Sequence, residues 1–334
     1  LSGCIPRPGG WRARAASLGP LALAGCAGSQ SALDPAGRGA EQIAELFWWM
    51  AGGAAVVWLL VIGLAVYAVR VRPAEHRRRT ALLVIGGGAV FPTLVLAGYL
   101  VYGLALLPEL IRPAPAGSLT VSVSGEQWWW RVRYPLPDGG EVALANEVRL
   151  PVGEPVEFQL ESPDVIHSFW IPALGGKTDM IPGRRTRLVL EPTETGIFRG
   201  ACAEYCGTAH ARMALYAVVM ERDAFDRWLA RQAEPAGAPT HPLAARGAQA
   251  FLASGCGACH TVRGTPAEGT VGPDLTHVGG RVSLGAGILP TEPDAFRRWV
   301  ARTERVKPGV HMPAFGMLPD AELRALAAYL DGLR

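Results

Sequence analysis

The chain has 334 residues, enough for about two domains of roughly 150 residues with some chain left over. Hydrophobic residues make up 49% and charged residues 18%, which excludes a disordered chain and is low in charge for a purely soluble one. The net charge of +3 gives no basis for a nucleic-acid partner, and it is uneven: +4 over 1–111, −3 over 112–240 and +2 over 241–334.

Residues 1–25 read as a signal segment. Arg7, Arg12 and Arg14 precede an apolar stretch that closes on Leu23-Ala24-Gly25-Cys26, and the order basic, apolar, small describes a secretory leader. The closing residues resemble a bacterial lipoprotein box. That resemblance implies lipidation at Cys26; a plain signal peptide with an incidental cysteine is the alternative.

Residues 40–111 read as a transmembrane hairpin. Two stretches free of charge, about Leu46–Val69 and Ala81–Leu107, are each long enough to cross a bilayer, for which about 20 residues suffice. The loop between them holds five arginines, Arg70, Arg72, Arg77, Arg78 and Arg79, so it is expected on the cytoplasmic side with both chain ends outside. Trp48 and Trp49 suit the outer interface. Pro92 is a candidate kink in the second helix.

Residues 112–230 read as β structure. Leu119–Val123, Val156–Leu160 and Thr186–Leu190 favour strands, and Pro137-Asp138-Gly139-Gly140, Pro151 to Gly153 and Pro182-Gly183 mark turns. A sandwich or Greek-key barrel is expected. The chemistry lies in Cys202-Ala-Glu204-Tyr-Cys206-Gly-Thr-Ala-His210-Ala-Arg-Met213. Thiolates and a thioether are soft ligands that suit copper; zinc accepts Cys and His but gains little from Met. A Cys202–Cys206 disulfide leaves His210 and Met213 unexplained. His167, at the end of an expected strand, is the candidate for a second imidazole.

With Val165-Ile166-His167-Ser168-Phe169 upstream, this run resembles the copper-A site of cytochrome c oxidase subunit II, over about residues 40–222. The resemblance implies a dinuclear copper centre in a cupredoxin-like barrel. Cys202 and Cys206 would bridge, His167 and His210 would be the imidazoles, Met213 the thioether and Glu204 the carbonyl donor. It also implies that the Glu204 side chain reaches a magnesium at the contact with subunit I, a hard cation that suits carboxylate. Gln127-Trp128-Trp129-Trp130 matches the family's aromatic run. In that family the first tryptophan lies at the surface over the copper as the point where electrons enter; Trp128 is the match, as entry point or, with the chain's own cytochrome in place of external docking, as a relay. An aromatic core cluster is the alternative reading, and it fits Trp130.

Residues 231–242, rich in Ala, Pro and Gly, read as a linker. Residues 243–334 read as helical, with Leu323, Leu326, Ala327 and Leu330 at helical spacing after Pro319-Asp320. Cys256-Gly-Ala-Cys259-His260 is a c-type haem attachment motif. It resembles class I cytochromes c, together with Gly272-Pro273-Asp274-Leu275 and the Met312-Pro313 step. That resemblance makes Cys256 and Cys259 the covalent anchors, His260 and Met312 the axial ligands, and Pro273 the residue that orients His260. Met317 and His311 are the rivals of Met312. The six cysteines are then accounted for: two on copper, two on haem, Cys26 on lipid, and Cys4 in the leader.

The combination resembles subunit II of a caa3-type oxidase. The fold expected is a two-helix hairpin, a cupredoxin-like barrel and an all-α cytochrome c domain in a bacterial cell membrane, with both cofactor domains on the outer face. The resemblance implies electron transfer from haem c through copper to haem a of subunit I, where oxygen is reduced and protons are pumped. It implies subunit III as a neighbour, and a quinol:cytochrome c oxidoreductase or soluble cytochrome c as donor. Two alternatives stay open: subunit II of a copper-A nitric oxide reductase, and a free-standing membrane-anchored electron carrier.

Overall fold

The computed structural model describes residues 27–71 and 80–334. The leader with Cys4 and Cys26, and residues 72–79 of the arginine loop, lie outside the described residues. Helix α1 spans Arg38–Val71. It begins eight residues before the expected Leu46, for a physical reason. Its first turns pack on protein, with Ala40 and Ala44 buried, and Arg38 N donates to the Glu191 carbonyl at 3.0 Å. Apolar length marks only the part beyond, where Trp48, Trp49, Leu59 and Leu60 are all more than half exposed.

The return helix has two parts. A π-helical stretch, Leu82–Val90, runs into α2, Phe91–Leu110. Proline lacks a backbone donor and its ring crowds the preceding turn. The wider turns lie immediately before Pro92, where a kink was expected. Both helices are long and apolar enough to cross a membrane. Tyr99 Oη donates to the Trp49 carbonyl at 3.0 Å and ties the hairpin.

Ten strands follow in two five-stranded sheets. The first holds β1 (Leu119–Glu126), β2 (Trp129–Pro135), β3 (Glu141–Ala145), β5 (Val156–Glu161) and β8 (Thr186–Leu190), in the order β3-β2-β1-β5-β8. The second holds β4 (Glu147–Pro151), β6 (His167–Trp170), β7 (Thr178–Met180), β9 (Gly196–Cys202) and β10 (Ala214–Met220), in the order β4-β10-β9-β6-β7. Alternation fixes which residues point inward. In β2, Trp130, Val132 and Tyr134 are buried while Trp129, Arg131 and Arg133 are partly exposed. Trp130, Phe158 and Phe169 meet in the core, with Trp130 and Phe169 edge to face at 5.5 Å. Tyr134 Oη donates to the Arg149 carbonyl at 2.9 Å and accepts from Arg149 N at 2.7 Å, joining the two sheets.

Helix α3 covers Arg222–Ala233 and α4 covers Pro242–Ala253. The expected linker 231–242 is therefore shorter, because α3 runs three residues into it. Phe225 and Trp228 anchor α3 against Tyr134. Beyond α4 come the short hairpin β11–β12 (Ser283–Leu284, Leu289–Pro290), α5 (Pro293–Ala301), α6 (Thr303–Val306) and the terminal helix α7 (Asp320–Gly332). Leu323, Leu326, Ala327 and Leu330 are buried along one face of α7, as the spacing predicts. This second core is separate from the first. Two long apolar helices, a two-sheet β domain and a helical domain are thus the architecture of the described residues.

Candidate copper and haem sites

The copper-type donors gather at one end of the second sheet. β6 begins with His167 and pairs with β9, which ends at Cys202; Phe169 lies opposite Cys202. The loop after β9 carries Cys206, makes a short 3-10 turn at His210–Arg212 and re-enters the sheet after Met213. Cys202 N donates to the Met213 carbonyl at 2.9 Å and closes that loop.

The donor atoms converge. The two Sγ atoms are 3.8 Å apart. Cys202 Sγ is 3.8 Å from His167 Nδ1 and 3.2 Å from the Glu204 carbonyl oxygen. Cys206 Sγ is 3.5 Å from His210 Nδ1 and 3.8 Å from Met213 Sδ. His167, Cys202, Cys206 and Met213 are buried. Hydrogen bonding to Cys206, aided by His167, lowers the Cys202 thiol and favours its thiolate. The same contact raises the Cys206 thiol, because a second negative charge beside the first is disfavoured. A soft, charged donor set of this kind fits copper.

The second site is a cavity of about 460 Å3, within the range of cofactor pockets. Cys256, Cys259, His260, Pro273 and Met312 all line it. Gly255 takes a left-handed conformation, and a short 3-10 turn at Cys256–Ala258 carries both thiols and His260 to the wall. His260 Nδ1 lies 2.8 Å from the Pro273 carbonyl, which leaves Nε2 free to point at a metal. Burial lowers the His260 pKa, which keeps the imidazole neutral and able to ligate. Met317 is 77% exposed and does not line the cavity. His311 does line it, beside Trp128 at 6.1 Å between ring centroids. These residues fit a covalently held haem.

Cytochrome c oxidase subunit 2 of Alkalihalophilus pseudofirmus is 33% identical to this chain, over 94% of each protein. The chain belongs to the cytochrome c oxidase subunit 2 family. Residues 138–221 match the family described as cytochrome c oxidase subunit II, periplasmic domain, and residues 244–334 match cytochrome c. Subunit 2 of Bacillus sp. strain PS3 is 35% identical over 65% of this chain and 63% of its own length. The periplasmic domain of subunit II from Bradyrhizobium japonicum covers 36% of this chain and 96% of its own, at 33% identity and a TM-score of 0.34. The chain is thus a membrane-anchored oxidase subunit II that carries its own cytochrome c domain. It binds copper and haem c, and it transfers electrons in a caa3-type oxidase.

Trp128, the match to the family's electron-entry tryptophan, is 7% exposed here, covered by the chain's own cytochrome domain. Its indole lies between two glycines, Gly207 of the copper loop and Gly309 of the loop before Met312. A Cβ on either would come within 3.1–3.2 Å of the ring. Trp128 Nε1 donates to the Cys206 carbonyl at 2.9 Å.

Asp164 belongs to the site although no motif marks it. Its Oδ1 accepts from His167 Nε2 at 2.8 Å, fixing the ring with Nδ1 toward Cys202, and its Oδ2 accepts from Gln127 N at 2.7 Å. The signal in the sequence was its position three residues before His167. Outer partners of this kind typically contribute 10- to 100-fold to metal affinity. Asp164→Ala is therefore expected to weaken copper binding by about 10- to 100-fold with haem content unchanged, read by competition with a copper chelator. Unchanged affinity would show that packing alone orients His167.

Proposed function

We propose that Cys202 and Cys206 bridge two copper ions, with His167, Cys202 and Cys206 at the buried heart of the site. The observation that carries this reading is that each thiol faces a different imidazole across an Sγ–Sγ separation of 3.8 Å. The Glu204 carbonyl beside Cys202 and the Met213 thioether beside Cys206 complete an asymmetric pair of ligand sets. His260 and Met312, which both line the cavity, would hold the haem iron, with Cys256 and Cys259 as thioether anchors and Pro273 fixing the His260 ring. Copper and haem c, when bound, supply reversible one-electron chemistry.

The residues do the rest. They hold rigid donor sets that exclude water from the thiolates, and Trp128 fills the space between the haem-side loop and the Cys206 carbonyl. Electrons arrive at the cytochrome domain from a quinol:cytochrome c oxidoreductase or a soluble cytochrome c. They leave the copper domain for haem a of subunit I, with subunit III alongside. The Glu204 side chain offers a carboxylate for magnesium at the subunit I contact. The cofactor domains face outward from a bacterial cell membrane, and Cys26 carries lipid. In the intact complex we expect two coppers and one haem c per chain of this subunit, and an EPR signal delocalised over both coppers. One copper per chain with a localised signal would overturn the bridged reading.

A further inference from the structure

Among the buried polar side chains, Lys307 stands apart. It is 2% exposed, yet it carries an amine on a flexible stem at the foot of the Met312 loop. Its Nζ donates to two carbonyls on opposite sides of the domain boundary. One is that of Trp128 in the copper domain, at 2.5 Å; the other is that of Gly285 in its own domain, at 3.0 Å. Burying an amine is costly unless it is hydrogen-bonded, and burial draws its pKa down to about 7. Both the charged and the neutral amine can donate to these carbonyls.

Other contacts cross the same boundary. Ala214 N donates to the Ala286 carbonyl at 3.0 Å, and Val282 N donates to Glu147 Oε2 at 2.6 Å. Arg212 reaches the Val306 carbonyl at 2.7 Å, one residue before Lys307. Arg212 works from a more exposed position, where hydrogen bonds are weaker. Lys307 is the sealed one, and it grips the backbone of the residue whose ring touches Gly309.

We propose that Lys307 is a positioning residue: its bond to the Trp128 carbonyl seats the cytochrome domain on the Trp128 ring, so that internal electron transfer runs from one fixed arrangement. This rests on the reading of Trp128 as the residue between the two cofactor sites. The Gly285 bond serves the cytochrome domain itself, whereas the Trp128 bond serves only the junction, so the two roles are separable.

The test compares wild type, Lys307→Met and Lys307→Gln in the purified, haem- and copper-loaded complex, by amide hydrogen exchange. Losing a hydrogen bond from this amine, neutral or charged, corresponds to about a 2- to 100-fold shift in an opening equilibrium. Exchange at Ala214 and Val282, whose amides bond across the boundary, is expected to rise by about that factor. Exchange at Val262 and Gly279, whose amides bond within the cytochrome domain, is expected to stay unchanged. Flash-initiated reduction of copper by the chain's own haem is expected to slow in step. If the Met variant fails to hold haem, the Gln variant is read in its place, since it keeps a polar group that is too short to reach both carbonyls. Unchanged exchange at Ala214 and Val282, or a uniform rise throughout the cytochrome domain, would overturn the proposal. Copper and haem content of the wild type, measured on the same sample, report separately on the cofactor sites.

Discussion

Cys206→Ser removes copper from the chain and stops electron transfer through it, while haem c stays in place. The Cys206 sulfur is the hub of the site: Cys202 Sγ, His210 Nδ1 and Met213 Sδ all lie within 3.8 Å of it. A serine hydroxyl is a hard, weakly acidic donor and does not replace a bridging thiolate. Losing an outer partner of a metal site costs at most about 100-fold, so losing this inner one is expected to exceed about 100-fold in copper affinity. The cytochrome cavity has its own core and keeps its haem. Copper per haem c and oxidase turnover check this together; a variant that keeps its copper would remove Cys206 from the ligand set. In the unsubstituted chain, copper uptake weakens as pH falls, because the Cys206 thiol, raised by its neighbour, must lose a proton to bind.

The double substitution Cys256→Ser, Cys259→Ser is expected to unfold the cytochrome domain and leave the copper domain folded. A haem in the cavity would be packed against the second core, which includes Phe251 and Leu326. Without it, the walls of the cavity, including Phe251, Leu275, Trp299 and Leu326, surround a space of about 460 Å3. Those apolar walls then face water and lose the contacts that would bury them. The whole stability of a domain is only about 5–15 kcal/mol, so losing the filler of its core is expected to unfold it. The copper domain keeps Trp130, Phe158 and Phe169 in a core of its own. The expected result is loss of the pyridine haemochrome signal, retained copper, and proteolysis confined to residues 243–334. A protease-resistant cytochrome domain without haem would show that its helices pack unaided.

The proposed copper ligands show how far local spacing reaches. Cys202, Cys206, His210 and Met213 lie in one short loop, and their types alone point to copper. Haem attachment was legible for the same reason, since Cys256, Cys259 and His260 are consecutive parts of one turn. His167 could be offered only as a candidate for a missing imidazole, because 35 residues separate it from Cys202 and the pairing of β6 with β9 brings them together. Asp164 carried no motif of its own, and its role depends on where the His167 ring points.

The membrane hairpin divides along the same line. Two uncharged stretches sufficed to place both helices, because lipid demands apolar length. They did not place the true start of α1, whose first turns are held by the β domain and not by lipid. The π-helical turns before Pro92 likewise depend on how the backbone accommodates a missing donor.

The amino-acid sequence by itself determined the chemical class of both sites, the two spanning helices and the succession of domains, because each rests on residues close together in the chain. Tertiary structure alone decided the rest: Trp128 covered and not exposed, Asp164 behind His167, and Lys307 sealed between two carbonyls. These depend on surfaces from distant segments meeting in one register, and burial is a property of the packed pair that neither segment carries alone.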